Sequence, residues 1–517
     1  MGILAVYDTI GIQNYIFSSN KLAENVGASK LVAGIFKETL PQVIKESIEP
    51  NLPKWTECLD KPLNPNLKVE IIYQGGGNAF VAFEDDDAFQ IVTKAFLTEG
   101  SRQALGVGIA VSAIETDFGD TYKADFEKLN KRLAIVKGGF NIPVFAGSQP
   151  ITKQSNRTGL PVSVFEKGKK GESGEYLSQS QKQKRENYLI YKTLSYTKTE
   201  IDDFDDLAFD KGADSLIAII HADGNNMGNR IKTFMERPEF DSYAKAVPAM
   251  RELSVKIDAC YKKAREKTIE AFRLKFDEKY NDRKIVPYME LIGDGDDTTL
   301  VISGRFALDF AARLLREIEV QPDPFQDNVP PTACAGVVLF HSHYPFSEAY
   351  KLAEGLCGNA KSPSRNDPGS YIDFHLHQSG GVSSLSDIRE KLYTVDGKSI
   401  LRRPWRVTSG QAGNLPSFSW FENTQRLISD DHNNNENRRR FPNSKLKGLR
   451  NAIGLGDSAA ELAENTLRGE KLPIIELSVE EQGKISRYAS AFDVLEMLDI
   501  YENLLNTDIE GGEESGE

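Results

Sequence analysis

The sequence contains one order of apolar and polar segments twice, and this repeat constrains the fold more than any other feature. The first copy runs from the apolar segment 3–11 to Lys137, and the second runs from segment 216–228 to Lys361. Each copy alternates short apolar runs rich in β-branched residues with longer stretches of helical period. This pattern predicts the order strand, helix, hairpin, helix, strand, helix. Two copies of one α+β unit, each a sheet covered on one face by helices, are the simplest interpretation.

The two copies also agree in the spacing of their polar residues. Asp8 stands 69 positions before Gly77, and Asp223 stands 73 positions before Asp296. In the second copy the hairpin segment 291–297 reads LIGDGDD. A tight hairpin turn favours glycine, and the residues beside the turn project from the end of the sheet. Asp-Gly turns also occur in hairpins for purely structural reasons, so this alternative stays open for the hairpin taken alone.

The acidic hairpin predicts a cation site. Asp296 and Asp297 are adjacent carboxylates that raise one another's pKa unless a cation neutralises them. Mg²⁺ binds one or two carboxylates together with substrate phosphates. Asp223 ends a neighbouring apolar run and is a third candidate ligand. Carboxylates from two adjacent strands suit a pair of metal ions about 3.5–4 Å apart, and Lys361 is a candidate contact for a triphosphate.

The composition excludes several classes of protein. The chain has 517 residues, more than the roughly 100–200 that one domain usually contains. Its formal charge of −13 disfavours general nucleic-acid binding, and its four scattered cysteines disfavour a disulfide framework or a structural zinc. No apolar stretch reaches the roughly 18 residues that a membrane span needs. We therefore expect a cytoplasmic protein that does not bind a membrane.

Composition shifts divide the chain into four parts. We predict a first unit over residues 1–150, a polar linker or small inserted module over 151–210, and a second unit over 211–378. Residues 379–517 carry helical patterns and predict a helical C-terminal domain. Its last ten residues hold five acidic and no basic side chains, which predicts a disordered acidic tail.

Four segments of the chain together resemble one known family. They are DTIGIQNYIFSSNKLAENVGASKLVA (8–33), ADGNNMG (222–228), LIGDGDD (291–297) and HYPFSEAYKLAEGLCGNAK (343–361). The chain resembles the large polymerase-cyclase subunit of type III CRISPR systems over roughly residues 1–378. The resemblance implies an α+β fold of two tandem ferredoxin-like palm domains, related to nucleotide cyclases and polymerases, with a Gly-Gly-Asp-Asp hairpin in the second. It also implies a nucleotidyltransferase that makes cyclic oligonucleotides, with cyclic oligoadenylate from ATP as the expected product.

The resemblance assigns roles to residues of the second palm. Asp223, Asp296 and Asp297 match the catalytic aspartates that hold Mg²⁺ or Mn²⁺. Lys361 matches a lysine that contacts the triphosphate, and Gly295 matches the second hairpin glycine, in the nucleotide site.

Two positions of the second palm depart from the family. Asp294 replaces the first hairpin glycine and is a further candidate metal ligand. Asn225 stands where the family often has a second aspartate, so one charge is missing there.

The first palm is the degenerate copy. It keeps Asp8 but reads QGGGN over residues 74–78, so its hairpin lacks the aspartates. The resemblance implies that Asp8 and the three glycines of this hairpin contact a second nucleotide; the glycines are Gly75, Gly76 and Gly77. Because the first palm pattern starts at residue 3, we expect the family's HD nuclease to be absent. The cysteines of its zinc-binding insert are missing, and segment 155–161 is the expected remnant.

Partners and products stay open at this point. The resemblance implies ATP as substrate, with CRISPR effector subunits and guide or target RNA as partners, while a homodimer is an alternative assembly. A rival interpretation keeps the chemistry but makes a linear or dinucleotide product or uses GTP. Another rival is a catalytically weak scaffold subunit that binds RNA or nucleotide.

Overall fold

The computed structural model describes most of the chain, and no helix in the described part is long and apolar enough to cross a membrane. The described residues are 1–139, 151–168, 173–194, 201–210, 212, 215–378, 381, 384–408, 417–429, 442–467 and 483–505. The predicted acidic tail lies outside them.

The first unit is built on a four-stranded antiparallel sheet. Its elements are β1 (Gly2–Ile10), α1 (Ile12–Phe17), α2 (Leu22–Gly34), a π-helical segment (Ile35–Thr39), α3 (Leu40–Ser47), a 3₁₀ turn (Trp55–Glu57), β2 (Val69–Gly75), β3 (Asn78–Phe83), α4 (Asp86–Gln103), β4 (Gly108–Thr116) and α5 (Tyr122–Gly139). The strands lie in the order β2-β3-β1-β4. This is the ferredoxin-like arrangement that the family resemblance implies.

A hairpin and a helix follow the first unit. They are β5 (Val162–Glu166), β6 (Glu175–Ser178) and α6 (Gln179–Leu194), with a 3₁₀ turn at Phe204–Leu207. Helix α6 packs so closely on α2 that a Cβ on Gly27 would lie 1.7 Å from the Lys184 carbonyl oxygen. Arg185 also donates to the buried Glu24 of α2 at 2.9 Å. The described part of 151–210 is therefore attached to the first unit by packing and by ion pairs.

The second unit repeats the first and extends it. It contains β7 (Leu216–Gly224), α7 (Met227–Phe234), a 3₁₀ turn (Pro238–Asp241), α8 (Tyr243–Lys279), β8 (Tyr288–Asp294), β9 (Asp297–Ser303), a 3₁₀ turn (Gly304–Phe306), α9 (Ala307–Glu319), β10 (Ala333–His341), α10 (Phe346–Ser364) and β11 (Tyr371–Leu376). The order β8-β9-β7-β10 matches that of the first sheet, and β11 adds to it in parallel with β10. The α+β class and the duplicated palm-like sheet predicted from the sequence are thus confirmed.

The remaining described residues are mainly helical. They form α11 (Leu385–Leu392), β12 (Thr394–Val395), β13 (Lys398–Ser399), β14 (Trp405–Arg406), α12 (Phe418–Ser429), α13 (Asn443–Ile453), α14 (Asp457–Glu464) and α15 (Ala489–Glu496). Strand β14 pairs with β11 and becomes the sixth strand of the second sheet. The second sheet therefore takes a strand from beyond residue 378.

The first sheet is covered on both faces, so the expected single covered face is wrong here. Alternate residues of a strand point to opposite faces. Tyr7 of β1 packs edge-on against Phe96 of α4, with ring centroids 5.3 Å apart. Its neighbour Val6 belongs to a separate apolar cluster with Tyr122 of α5 and Met250 of α8. The second face is buried because α5 and the first part of α8 lie on it.

Helix α8 also ties the two units together through one buried arginine. The side chain of Arg251 is fully buried, and its Nη2 lies 2.8 Å from Glu70 Oε1 on β2. The guanidinium also donates to four backbone carbonyls of the first unit, at distances from 2.9 to 3.0 Å, those of Cys58, Lys61, Ile71 and Ile72. Because all its donors are engaged by the first unit, Arg251 sets how α8, and with it the second unit, sits on the first.

Candidate functional site

The hairpins of the two units face a shared cleft of about 470 Å³. The first palm contributes Gly75, Gly76 and Gly77, and the second palm contributes Asp294, Asp296 and Asp297. Residues from the start of α1 and from α2 complete the walls, including Lys30 and Lys37 of the helical stretch that follows β1. The sequence-predicted glycines and hairpin aspartates therefore line one space.

The two hairpin turns differ in backbone geometry. In the first, Gly76 and Gly77 both have positive φ, at 58° and 79°, as in a type I′ turn. In the second, Asp294 and Asp297 are the last paired residues, and of the two between them only Gly295 has positive φ, at 58°. This is the type II′ pattern, which requires glycine at the first central position. Gly295 therefore serves the turn itself, and Asp296 can follow it without backbone strain.

Asp223 lies beside the acidic hairpin. Strands β7 and β9 pair Ala222 with Thr298, one step from Asp223 and Asp297. A Cβ on the next residue, Gly224, would lie 2.8 Å from Asp296 Oδ2. The fold thus brings the three predicted aspartates together at the end of the sheet.

The hairpin carboxylates have strongly perturbed pKa values. Burial and the charge of Asp223 raise the pKa of Asp296 to about 6. Burial and the charges of Asp223 and Asp296 raise the pKa of Asp297 to about 7. Within the described residues, Asp297 Oδ1 accepts no hydrogen bond. These two carboxylates therefore favour a proton or a cation.

His221 is a neighbour that the sequence analysis missed. It lies two residues before Asp223 on β7, so both side chains share one face of the strand. Its Nδ1 lies 3.0 Å from Thr299 Oγ1 and 3.5 Å from Asp297 Oδ1. Burial lowers the pKa of His221 to about 4, so the imidazole is neutral near pH 7. The i, i+2 spacing from Asp223 was the available sequence signal.

Lys361 contacts an aspartate in this structure. Its Nζ lies 2.5 Å from Asp223 Oδ2 and 3.1 Å from the Gly224 carbonyl oxygen. Burial opposes the charged form, but the hydrogen bond and the charge of Asp223 outweigh it and raise the pKa of Lys361. The lysine from α10 thereby neutralises one of the three carboxylates.

The first palm repeats this pair without the acidic hairpin. Lys137 Nζ of α5 lies 2.7 Å from Asp8 Oδ2. Asn78 pairs with Asp8 across the strands, and the Gly77 carbonyl oxygen accepts the backbone N–H and the hydroxyl of Thr9, both at 2.9 Å. An aspartate-lysine pair is thus common to both palms, whereas the hairpin carboxylates belong to the second.

The two departures from the family have clear structural partners. Asp294 Oδ1 lies 2.7 Å from Lys37 Nζ of the first palm. The side-chain amide of Asn225 donates to Thr332 Oγ1 and to the Gly369 carbonyl oxygen, both at 3.1 Å. Asn225 therefore braces the loop after β7, a role that a carboxylate could not fill because it has no N–H to donate.

The donor set fits Mg²⁺ in part. Across the described residues, no group of three or more histidine, cysteine, aspartate or glutamate side chains is arranged to hold a metal ion. Asp223 is paired with Lys361, which leaves Asp296 and Asp297 as the carboxylates free of a lysine. One or two carboxylates together with substrate phosphates suffice for Mg²⁺. The arrangement therefore suits a metal ion that arrives with a nucleotide.

Comparison with known proteins identifies the second palm. Residues 216–368 match the family described as Cas10/Cmr2, second palm domain. No curated protein sequence matches the chain significantly.

Solved structures share the fold over most of the chain. A Csm1-Csm4 cassette in complex with cA4 aligns with a TM-score of 0.54 at 13% identity, over 96% of this chain and 69% of the other. The same cassette with AMPPNP aligns with a TM-score of 0.53 at 13% identity and the same coverage. Csm1 from T. onnurineus aligns with a TM-score of 0.51 at 14% identity, again over 96% and 69%. The chain therefore has the fold of Csm1, and its residues 216–368 match the second palm domain of Cas10/Cmr2.

Proposed function

We propose that this chain is a metal-dependent nucleotidyltransferase that makes cyclic oligonucleotides from ATP, with cyclic oligoadenylate as the expected product. The system it serves would be a type III CRISPR antiviral system. The observation that carries the proposal is the pair Asp296 and Asp297, whose pKa values are raised to about 6 and about 7, in a cleft faced by a glycine hairpin. Perturbed carboxylates in a cleft are typical of functional sites.

The cleft has the size and the wall chemistry for nucleotides. Its volume of about 470 Å³ lies within the range of small-molecule sites. Gly75, Gly76 and Gly77 present backbone without side chains, so a ribose or base can approach closely. Lys30 supplies positive charge on the wall for phosphates, while Lys37 on the same wall is paired with Asp294. We therefore assign the glycine hairpin to one nucleotide and the acidic hairpin to the triphosphate of the other.

The reaction is a displacement at phosphorus. The 3′-hydroxyl oxygen of one nucleotide bonds to the α-phosphorus of the other and gives up its proton to water. The bond from the α-phosphorus to the bridging oxygen breaks, and pyrophosphate leaves. Asp296 and Asp297, with Asp223 beside them, would hold Mg²⁺ or Mn²⁺, which when bound supplies charge stabilisation at the attacking and leaving oxygens. Lys361 would exchange its contact with Asp223 for one with the triphosphate.

The similar structures support a proposal about partners. The matched cassettes contain Csm1 together with Csm4, one in complex with cA4 and one in complex with AMPPNP. We propose that this chain likewise works with a Csm4-like effector subunit and with guide or target RNA, in the cytoplasm. The experiment below determines which nucleotide base the protein uses and how large the cyclic product is.

The test is product formation by the purified full chain. The protein is incubated with each nucleoside triphosphate and Mg²⁺ or Mn²⁺, with and without effector subunits and target RNA, and small products are identified by mass spectrometry. Replacing Asp296 and Asp297 with alanine is expected to abolish pyrophosphate release. The matched control replaces Asp86 and Asp87, an exposed adjacent pair at the start of α4, and should retain activity. Undiminished synthesis in the hairpin variant would refute the site assignment.

A scaffold function is the second candidate. The pairing of Asp223 with Lys361 favours it, because one of the three carboxylates is already neutralised without a metal ion. In that case the protein would co-purify with RNA and partner subunits and release no pyrophosphate with any nucleotide. If the protein instead makes a linear product, a dinucleotide or a product from GTP, the displacement at phosphorus is unchanged. Only the substrate or the number of reaction steps then differs from the proposal.

A further inference from the structure

We propose that Lys37 and Asp294 form a positioning pair that holds the acidic hairpin against the first palm and sets the geometry of the cleft between them. The inference rests on the proposed function, because it assigns the cleft to nucleotides. It concerns a position at which this chain has a carboxylate instead of the glycine of the Gly-Gly-Asp-Asp pattern.

The pair joins the two palms directly across the cleft. Lys37 Nζ lies 2.7 Å from Asp294 Oδ1, and both residues line the cleft. The side chains are 50% and 27% exposed, so water screens the attraction and its contribution to stability is small. The pair instead fixes the position of the hairpin relative to the first palm, because it connects residues 257 positions apart in the chain.

Local structure directs Lys37 toward the hairpin. Lys37 lies in the π-helical segment between α2 and α3, where Ile35 and Phe36 are buried. The extra residue of a π turn rotates the following side chains by about 100° relative to an α-helix. Such turns occur often at functional sites. The segment thus buries its apolar residues while its lysine lines the cleft.

The contact of Asp294 with Lys37 also restrains the position of Asp297. It is the last residue of β8 and pairs in register with Asp297, the first residue of β9. A second contact supports the same strand, because Ser29 of α2 donates its hydroxyl to the Leu291 carbonyl oxygen. The hairpin of the second palm is therefore held from the first palm at two points.

The neighbouring charges have other partners. Arg265 Nε lies 2.8 Å from Glu290 Oε2, and its Nη2 lies 3.0 Å from the Gly293 carbonyl oxygen. Lys30 also feels the charge of Asp294, but its Nζ lies over the Tyr191 ring, 4.5 Å from the centroid. In the described part of the chain, Lys37 is the ion-pair partner of Asp294. In the first palm the corresponding hairpin position is Gly75, which has no side chain to make such a contact. The hairpin of the first palm therefore cannot form such an ion pair at this position.

A binding experiment separates positioning from metal ligation. The full chain is titrated with Mn²⁺ alone and with a non-hydrolysable ATP analogue plus Mn²⁺, in the variants Lys37→Met, Asp294→Asn and the double variant. We expect each single variant to weaken nucleotide binding about two- to fivefold, with no further loss in the double variant. Affinity for Mn²⁺ alone should be unchanged, and Lys37→Arg, which keeps the charge, should bind as the unsubstituted protein does. Lys45→Met in the exposed part of α3 is the matched control.

Two results would overturn the inference. Loss of Mn²⁺ affinity in Asp294→Asn alone would make Asp294 a metal ligand, and additive losses in the double variant would show that the two residues act independently. If the unsubstituted protein binds no nucleotide, the proposed function fails. The pair is then tested by hydrogen exchange of the hairpin amides in 288–303, which should be faster in both single variants and unchanged in Lys37→Arg. Equal exchange in all variants would refute the pair on its own.

Discussion

Replacing Asp297 with asparagine should stabilise the metal-free protein while it removes activity. The carboxylate of Asp297 is destabilised in the fold, first by burial and then by the charges of Asp223 and Asp296. Asparagine has nearly the same shape and no charge. The variant therefore relieves repulsion that the proposed cation would otherwise offset.

The magnitude follows from the pKa. A rise of the pKa from its ordinary value of 3.8 to about 7 corresponds to at most about 4 kcal/mol. The Asp297 side chain is 36% exposed, so water screens these charges, and we expect about 1 to 2 kcal/mol. For a domain of about 150 to 250 residues, this gain in stability raises the midpoint temperature of unfolding by about 2 to 8 °C.

The pH dependence gives this effect a direction that can be checked. A carboxyl with a raised pKa in the folded state stabilises the fold below its unfolded value near 4, and that stability is lost as the pH rises through about 7. The variant should therefore gain less at pH 5, where only part of this stability has been lost, than at pH 8, where all of it has. Scanning calorimetry at both pH values, without and with Mg²⁺, measures this. Mg²⁺ should stabilise the unsubstituted protein more than the variant.

Two results would refute this reasoning. A variant that is less stable at pH 8 without metal would mean that the Asp297 carboxylate makes net favourable contacts in the fold. A gain that is equal at pH 5 and pH 8 would mean that ionisation of Asp297 is not its cause.

Two further predictions concern the first palm and its junction with the second. Gly77→Asp should lower the free energy of unfolding by about 1 to 3 kcal/mol and should not create a Mn²⁺ site, because φ is 79° there and a Cβ would come within 2.8 Å of two side chains. Urea unfolding and Mn²⁺ titration test this. Unchanged stability together with added Mn²⁺ binding would contradict it. Arg251→Met should cost about 3 to 5 kcal/mol, because it leaves the buried Glu70 without its ion-pair partner. Urea unfolding beside Lys256→Met, which removes a partly exposed ion pair on the same helix, checks this, and equal losses would contradict it.

Much of the fold was predictable because its signals are local. Short apolar runs and helical periods mark strands and helices wherever they occur, so the order of elements in both palms could be read from the chain. The covering of both faces of the first sheet could not, because it depends on α8, a helix of the second palm that lies on the first. Periodicity indicates that a helix is amphipathic but does not say which sheet it covers.

In the candidate site, too, only the local features were predictable from the sequence. Turn chemistry marked Gly295 with Asp296 and Asp297, since a hairpin turn is a property of neighbouring residues. The pairs of Lys361 with Asp223 and of Lys37 with Asp294 join residues 138 and 257 positions apart. Contacts at such separations leave no periodic trace in one sequence.

The sequence by itself determined that this chain forms two related α+β units and that the second carries the acidic hairpin. Tertiary structure alone decided that the two hairpins share one cleft, that Asp223 is neutralised by Lys361, and that Asp294 faces Lys37 of the other palm. The physical reason is that strand and turn preferences are set within a few residues. The burial and charge that tune a carboxylate come instead from whatever the folded chain brings beside it.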